Sequence, residues 1–510
     1  MKMTKSKDAS ERRQGLWLWG IVVLFLLVVA KWSLAELWYD EIMSLELFVL
    51  GAKSLGDVFR NYVAANNHFL SNAIEYVWLN LVVRDNISSE LAVRLPSLAC
   101  SVGTILTAGL CWRRHCGKRA ALGAAMMLSV SPVFCSFAWQ MRGYSLAMLL
   151  ACLAVTAGAD FLTGRTRRNQ TVLALASLLL PLVMPTAVML PLAIALAMTY
   201  SHLRTSWHEW RGAIRLSLLP FIGSMLGLSY YATLGDSLQK ASQEAGGWTG
   251  FWRTLAAIIL PMALHIIGYL ILLPALWGKK PFAQEKASAP LTKIDLYAQG
   301  LVLASLAAVL GALLLRLPFT YFPFPRTFLV LLPAVTFAAA QARGKAQWLD
   351  LRMTQTRELL LLAILGCVLI RATETVNSWS LRRARTRQNL LTQYYRGKDD
   401  NRQLAAYVAE HYQAEGRQCV WLTPDIDVVT GEYYCRLYDR QPDGSFLPVV
   451  LPVDRIHGPL PLSGSEYVLV SARTKVEAEA ILAKIVPDDA HPRLEPLHKT
   501  EFRMLFSVIW

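Results

Sequence analysis

Two adjacent carboxylates, Asp40 and Glu41, follow directly on the first strongly apolar stretch of the chain, in the run LWYDEIMSLELFVL. Further on come Asn66, Asn67 and His68, then Gln140, Arg142 and Tyr144 within SPVFCSFAWQMRGYSL. Two more arginines, Arg316 and Arg326, bound the aromatic and proline-rich run RLPFTYFPFPR. A carboxylate can take the proton from an attacking hydroxyl. Arginine can hold a departing phosphate by charge-assisted, often bidentate, hydrogen bonds. These residue types suit displacement of a phosphate by a hydroxyl, provided the chain presents them where a lipid tail can reach.

Composition says what kind of chain must position them. Its 510 residues are 54% hydrophobic and only 17% charged, against about 25% charged in a soluble protein. Many windows approach the roughly 20 apolar residues that cross a hydrocarbon core. The chain therefore reads as a polytopic membrane protein. Its net charge of +15 fits Lys and Arg gathered in cytoplasmic loops. No zinc-finger, RNP or helix-turn-helix pattern argues for a nucleic-acid partner. Six cysteines (100, 111, 116, 135, 152 and 367) lie in or beside apolar spans and read as small fillers. Cys419 and Cys435 are the one plausible disulfide pair, and no cysteine spacing suggests a zinc or iron–sulfur site.

Residues 1–15 carry Lys2, Lys5, Lys7, Arg12 and Arg13 ahead of an apolar run over 16–34. The run is longer than a signal h-region and no small-x-small cleavage site follows. It reads as a retained signal-anchor with a cytoplasmic tail, which puts the loop after it outside. The stretch 71–83 is apolar but short, with Glu75 inside it, and reads as a juxtamembrane helix. Further spans are expected at 94–112, 119–137, 143–162, 171–184, 186–200, 216–231, 256–277, 294–315, 326–340 and 359–372. That gives about eleven in all, with a polar external loop over 236–253. The strongly basic loops before residue 360 then share the cytoplasmic side, as the positive-inside rule requires. The basic run LRRARTRQ after the last span is the exception.

The expected organisation is a tail over 1–15, a transmembrane domain over 16–377 and an extracytoplasmic α/β domain over 378–510. The transmembrane domain carries an external catalytic loop with juxtamembrane helices over 35–93. In the C-terminal part, residues 386–412 and 475–486 read as helices. CVWLTP, GEYYCRLY, EYVLVSAR and EFRMLFSVIW read as strands. On this topology Trp38–Glu41, Asn66–His68, Gln140–Tyr144 and Arg316–Arg326 converge at one external level.

WYDE, then NNHFL, then SELAVRLPSL, then SPVFCSFAWQMRGYSL, in this order and spacing, resemble the bacterial members of the membrane glycosyltransferase superfamily of GT-C fold. That superfamily includes protein O-mannosyltransferases and the aminoarabinose transferase of lipid A. The resemblance covers roughly residues 15–340 in order of elements, with the motifs confined to Trp38–Leu146. It implies a mainly α, polytopic GT-C fold in the cell membrane. It also implies a polyprenyl-phosphate-linked monosaccharide donor and inversion at the anomeric carbon. Asp40 falls on the family's catalytic acid and Glu41 on its partner. His68 falls on the histidine of an H-P-P-L element, while Gln140, Arg142 and Tyr144 fall on a Q-x-x-R-x-Y element. Arg142 would then hold the donor phosphate, with Asn67, His68, Gln140, Tyr144 and Arg326 around the substrate. A divalent cation is left open, with Asp40, Glu41 and His68 its ligands if one binds. The chain departs from the pattern at Phe69 and Leu70, where prolines are usual, at Met141, where an acid is usual, and at Gly143, which replaces a larger residue.

Each residue also has a plainer role. Asp40 and Glu41 suit the first turn of a helix. A lone histidine is commonly a hydrogen-bonded structural residue, and the oxygen donors around His68 do not make a His/Cys metal pattern. Arg142, Arg94 and Arg326 suit helix ends at the interface. A lipid-linked-sugar flippase is the rival function; it should show paired broken helices in corresponding halves, and no such symmetry is visible. A non-catalytic envelope scaffold would tolerate loss of Asp40 and Arg142. The sugar (hexose or pentose) and the acceptor, a lipid, polysaccharide or protein of the envelope, are not encoded in any motif.

Overall fold

The computed structural model describes residues 2–60, 67–83, 89–164, 166–234, 291–315, 325–345, 354–383, 401–412, 419–423, 425–438, 448–452, 467–472, 474–485, 493–500 and 503–509. Asn66, the expected span over 256–277, the loop 236–253, residues 316–324 and most of LRRARTRQ lie outside these. The chain forms two compact units. One comprises Met1–Ser33, Ala52–Arg84 and Leu91–Tyr395; the other comprises Leu34–Gly51, Asp85–Glu90 and Arg396–Trp510.

The first unit is helical. Among the described residues, seven segments are long and apolar enough to cross a membrane: Glu11–Ser33, Glu90–Cys116, Gly143–Thr163, Pro185–Thr205, Trp210–Leu234, Lys293–Leu314 and Arg326–Lys345. Packing among them depends on small residues, as expected where lipid supplies no hydrophobic drive. A Cβ on Gly300 would lie 2.7 Å from the Cα of Ala197, so the helices Lys293–Leu315 and Met189–Thr205 approach backbone to backbone. On the former, Leu303, Leu306, Leu310 and Leu314 stay exposed at helical spacing, an apolar stripe suited to lipid.

One expected span takes another form, and two lie within helices that start earlier or run longer. Residues 119–137 are not one helix but two, Lys118–Ser129 and Pro132–Phe137. Pro132 lacks an N–H and restricts the residue before it, and the Ser131 hydroxyl caps the restart by accepting from the Phe134 N–H at 3.4 Å. Residues 171–184 lie in the 17-residue helix Arg167–Val183, which starts early because Thr166 caps it. Residues 359–372 lie in the longer helix Gln355–Arg383. The stretch 71–83 forms the ten-residue helix Phe69–Trp78 and a wide turn Leu79–Val83, and it is not among the seven.

In the second unit five strands form one sheet: β1 (Cys419–Thr423), β2 (Val449–Pro452), β3 (Tyr467–Ala472), β4 (Arg493–Lys499) and β5 (Met504–Ile509), in the order β2-β1-β3-β5-β4. β1 runs parallel to β2 and β3, while β5 is antiparallel to both β3 and β4. Alternation sorts the faces. Val420, Leu422, Val468, Val470, Phe506 and Val508 share a core with Ala478, Ile481 and Leu482, the i, i+3, i+4 face of the helix Lys475–Ile485. β2 and β4 were not anticipated. GEYYCRLY, expected as a strand, is instead the second half of the helix Asp425–Tyr438. Its buried Thr430, Gly431, Tyr433, Tyr434 and Cys435 form a broad helical face, and a short aromatic run does not by itself distinguish that from a strand. Cys419 and Cys435 are both free thiols. Burial pushes the Cys419 thiol up to about 12, and burial, with Cys419 nearby, raises Cys435 as well.

Candidate active site

In the first unit the helix Gly143–Thr163 opens at Arg142, whose backbone is extended at φ −151 and ψ 165. That conformation turns the Arg142 side chain back into the protein, where it is 1% exposed. Its Nη2 donates to His68 Nε2 at 3.0 Å. His68 Nδ1 lies 3.1 Å from the Val183 carbonyl oxygen, which can only accept. The Nδ1 position therefore carries the hydrogen, and the ring is a neutral imidazole whose Nε2 lone pair faces the guanidinium. Tyr144 completes the group. Its ring meets the His68 ring edge-on at 5.2 Å and the Arg142 guanidinium carbon at 5.7 Å.

Gly143 explains its own departure from the motif. A Cβ there would lie 2.7 Å from Val183 Cγ1 and 2.8 Å from His68 Nδ1, so glycine admits the imidazole against the helix start. Phe69, where proline is usual, opens the helix Phe69–Trp78 from His68 and is fully buried against Phe59, Tyr230 and Tyr231. Met141 is buried, at 1% exposure, so that position offers thioether rather than carboxylate.

The neighbouring amides are local. Asn67 Oδ1 accepts from Asn72 Nδ2 at 2.7 Å. Gln140 Nε2 donates to the Ser136 carbonyl at 2.8 Å, while its Oε1 is buried without a hydrogen-bond partner among the described residues. Arg326, half-buried, sits in the 3₁₀ turn Pro325–Leu331, which packs on the helix Gly143–Thr163 and on the turn Pro185–Val188. Arg94 has the plainer role. Fully buried, it donates Nη1 to the Trp32 and Ser33 carbonyls at 3.1 and 3.2 Å, satisfying the C-terminus of the first helix. It also lies 4.5 Å from the Trp139 ring centre.

Glu75 is a buried carboxylate that the motifs do not contain. It lines a cavity of about 10 Å³ with Ser71, Ser97, Cys100 and Ser145, room for one water. Its signal in the sequence was a lone acid inside an apolar run.

In the second unit Asp40 and Glu41 lie in the helix Tyr39–Met43, which runs on into the wide helical turn Ser44–Leu50, and they differ sharply. Glu41 is fully buried and its Oε2 accepts from the Trp38 N–H at 3.2 Å, the return arm of a capping box. Asp40 is half-buried, and its backbone carbonyl accepts from the Ser44 hydroxyl at 2.8 Å. Around this loop stand residues that no motif contains: Glu36, Arg402, Tyr434 and Arg436. Among the described residues no three His, Cys, Asp or Glu side chains gather in a metal-binding group. Both His68 nitrogens are engaged, so a cation there would have to displace Arg142 or the Val183 carbonyl.

No family model matches the chain, and no curated protein matches it. Among solved structures, ArnT from Cupriavidus metallidurans in the apo state matches over 98% of this chain and 98% of its own, at 13% identity and TM-score 0.54. The same protein bound to undecaprenyl phosphate matches over 96% and 97%, at 14% identity and TM-score 0.49. The Archaeoglobus fulgidus oligosaccharyltransferase, in complex with zinc and sulfate, matches over 92% of this chain and 69% of its own, at 12% identity and TM-score 0.44. The first of these matches fixes the architecture: the chain is a multi-pass membrane protein with the GT-C fold of ArnT.

Proposed function

We propose that this chain is an integral-membrane glycosyltransferase that moves a monosaccharide from a polyprenyl-phosphate donor to a lipid, polysaccharide or protein acceptor of the cell envelope. The reaction occurs on the external face of the membrane, with the N-terminus cytoplasmic and the C-terminal domain outside. The observation that carries the reading is Arg142, a buried cation at the start of a 21-residue helix, inside a fold shared with ArnT. The free N–H groups of that helix start point the same sign of charge as the guanidinium, and such termini favour phosphate.

Asp40 takes the proton from the acceptor hydroxyl as its oxygen attacks the anomeric carbon. The bond from that carbon to the phosphate oxygen breaks with its electron pair going to the phosphate, and the configuration inverts. Arg142, oriented by His68, steadies the leaving phosphate, with Arg326 as a second cation. The free Gln140 Oε1 accepts from a sugar hydroxyl, and Tyr144 and Asn67 shape the pocket. Glu41 supports Asp40 by fixing its helix turn.

The test is transfer by the purified, membrane-reconstituted protein from a panel of synthetic polyprenyl-phosphate sugars, with and without chelator. Transfer from at least one donor, with inverted product, is expected. A panel that yields no transfer while the lipids move between leaflets would replace the transferase with a flippase.

A further inference from the structure

A short helix does not hold its own shape in water, because below about 12–15 residues it does not repay the cost of nucleation. The helix Tyr39–Met43, which carries Asp40, runs directly into the wide helical turn Ser44–Leu50, and together they reach only the lower edge of that range. Its order must come from its surroundings, and within the second unit those are two helices of the C-terminal chain, Asn401–Tyr412 and Asp425–Tyr438.

The ties bracket Asp40. Three residues before it, the Leu37 N–H donates to Tyr434 Oη at 2.6 Å. One residue earlier, Glu36 Oε2 accepts from the Arg402 N–H at 2.7 Å. Arg402 Nε donates to Tyr438 Oη at 2.7 Å, and its Nη1 pairs with Glu90, so one guanidinium is fixed from two sides. Beyond Asp40, Glu46 pairs with Arg436. Tyr434 is fully buried, and its hydroxyl is held well above the usual phenol range by burial and then by Glu36 and Glu90, so it stays protonated. Tyr434 and Tyr438 stand one helical turn apart, which lets one face of the helix take Leu37 directly and Arg402 beside it.

We infer that Tyr434 and Arg402 are positioning residues for the base: the C-terminal domain sets the place of Asp40 through Leu37, Glu36 and Glu90. The inference rests on the transferase reading for what Asp40 does, but the anchoring itself can be measured without any transfer.

The experiment uses the full chain in lipid nanodiscs, with Tyr434→Phe, Arg402→Gln and Arg402→Lys. Amide hydrogen exchange is followed over 37–46 and over the sheet strands β1, β3 and β5. Tyr434→Phe removes one buried hydrogen bond, so exchange at 37–43 should rise about tenfold while the strands keep their protection. Where transfer is detected, kcat should fall about tenfold to a hundredfold with donor KM unchanged, the pattern of a displaced catalytic group. Arg402→Gln should act like Tyr434→Phe, and Arg402→Lys should recover part of the rate because it keeps the charge but not the fork. Unchanged exchange at 37–43 in both Tyr434→Phe and Arg402→Gln overturns the anchoring. Raised exchange with an unchanged kcat overturns its role in positioning. A wild-type protein without transfer would defeat the functional reading, and the exchange result would still decide the anchoring.

Discussion

The helix Gly143–Thr163 carries a charge of the unfavourable sign at each end, and the two ends are resolved differently. Near its C-terminus, where the dipole is negative, stands Asp160. His115 Nε2 meets it at 2.8 Å and Arg114 at 3.3 Å, so the chain itself supplies the opposing groups. At the N-terminus, where the dipole is positive, stands the cation Arg142, which donates to a neutral imidazole. One end is an internal ion pair that fastens the helix to its neighbours. At the other, guanidinium and helix terminus carry the same sign and the neutral His68 ring is one of the guanidinium's partners; in the transferase reading proposed above, the donor phosphate is the anion that this end receives. Burial alone therefore says little about a charge, and the kind of partner says more.

Substitutions should separate the two ends. Among substitutions at the two ends of this helix, Arg142→Ala is expected to have the largest effect on transfer, a fall of about 100- to 1000-fold, as for loss of one preorganised charge-stabilising donor. The protein should stay inserted and folded; a rate near that of the wild type would erase the distinction. Gly143→Ala comes next. Its Cβ must push Val183 or His68 aside, costing about 1–3 kcal/mol of stability as overpacking does. Thermal unfolding and transfer should drop together, and a variant that loses neither would mean that the imidazole has room to move.

Asp160→Asn should do the converse of Arg142→Ala. It weakens a charge-assisted contact worth about 1.5–3 kcal/mol, so the melting temperature falls while the rate per folded molecule is unchanged. A matching loss of rate would mean that both ends serve the reaction. Glu41→Gln should be the mildest, since an amide oxygen still accepts from the Trp38 N–H and glutamine serves in capping boxes. A hundredfold fall in transfer by that variant would give Glu41 a chemical role beyond the cap.

The residues 38–41, 67–68 and 140–144 were legible because polar groups near membrane depth are costly and stand out against apolar sequence. The GT-C architecture followed from their order. The fate of Glu41 was not legible, because capping and chemistry ask for the same carboxylate in the same place. Nor was the break in 119–137 read, although Ser131–Pro132 carried its signal. The strand expected at GEYYCRLY failed because three aromatics in eight residues satisfy either period. The anchors of the acidic loop were beyond any local pattern: Leu37 and Tyr434 lie 397 residues apart in the chain, and neither belongs to a motif. Gly143 shows the reverse. It looked like a departure from the family pattern, and its reason became visible only as the space His68 occupies.

The most direct measurement is single-turnover transfer by Asp40→Asn in nanodiscs, alongside binding of the same polyprenyl-phosphate donor. Asparagine keeps the size of the side chain and removes the base. Donor binding should be retained through Arg142, with the chemical step slowed about 100- to 10,000-fold, the usual contribution of a general base. A near-normal rate with normal binding would contradict the role of Asp40, and with it the mechanism built on the acidic loop.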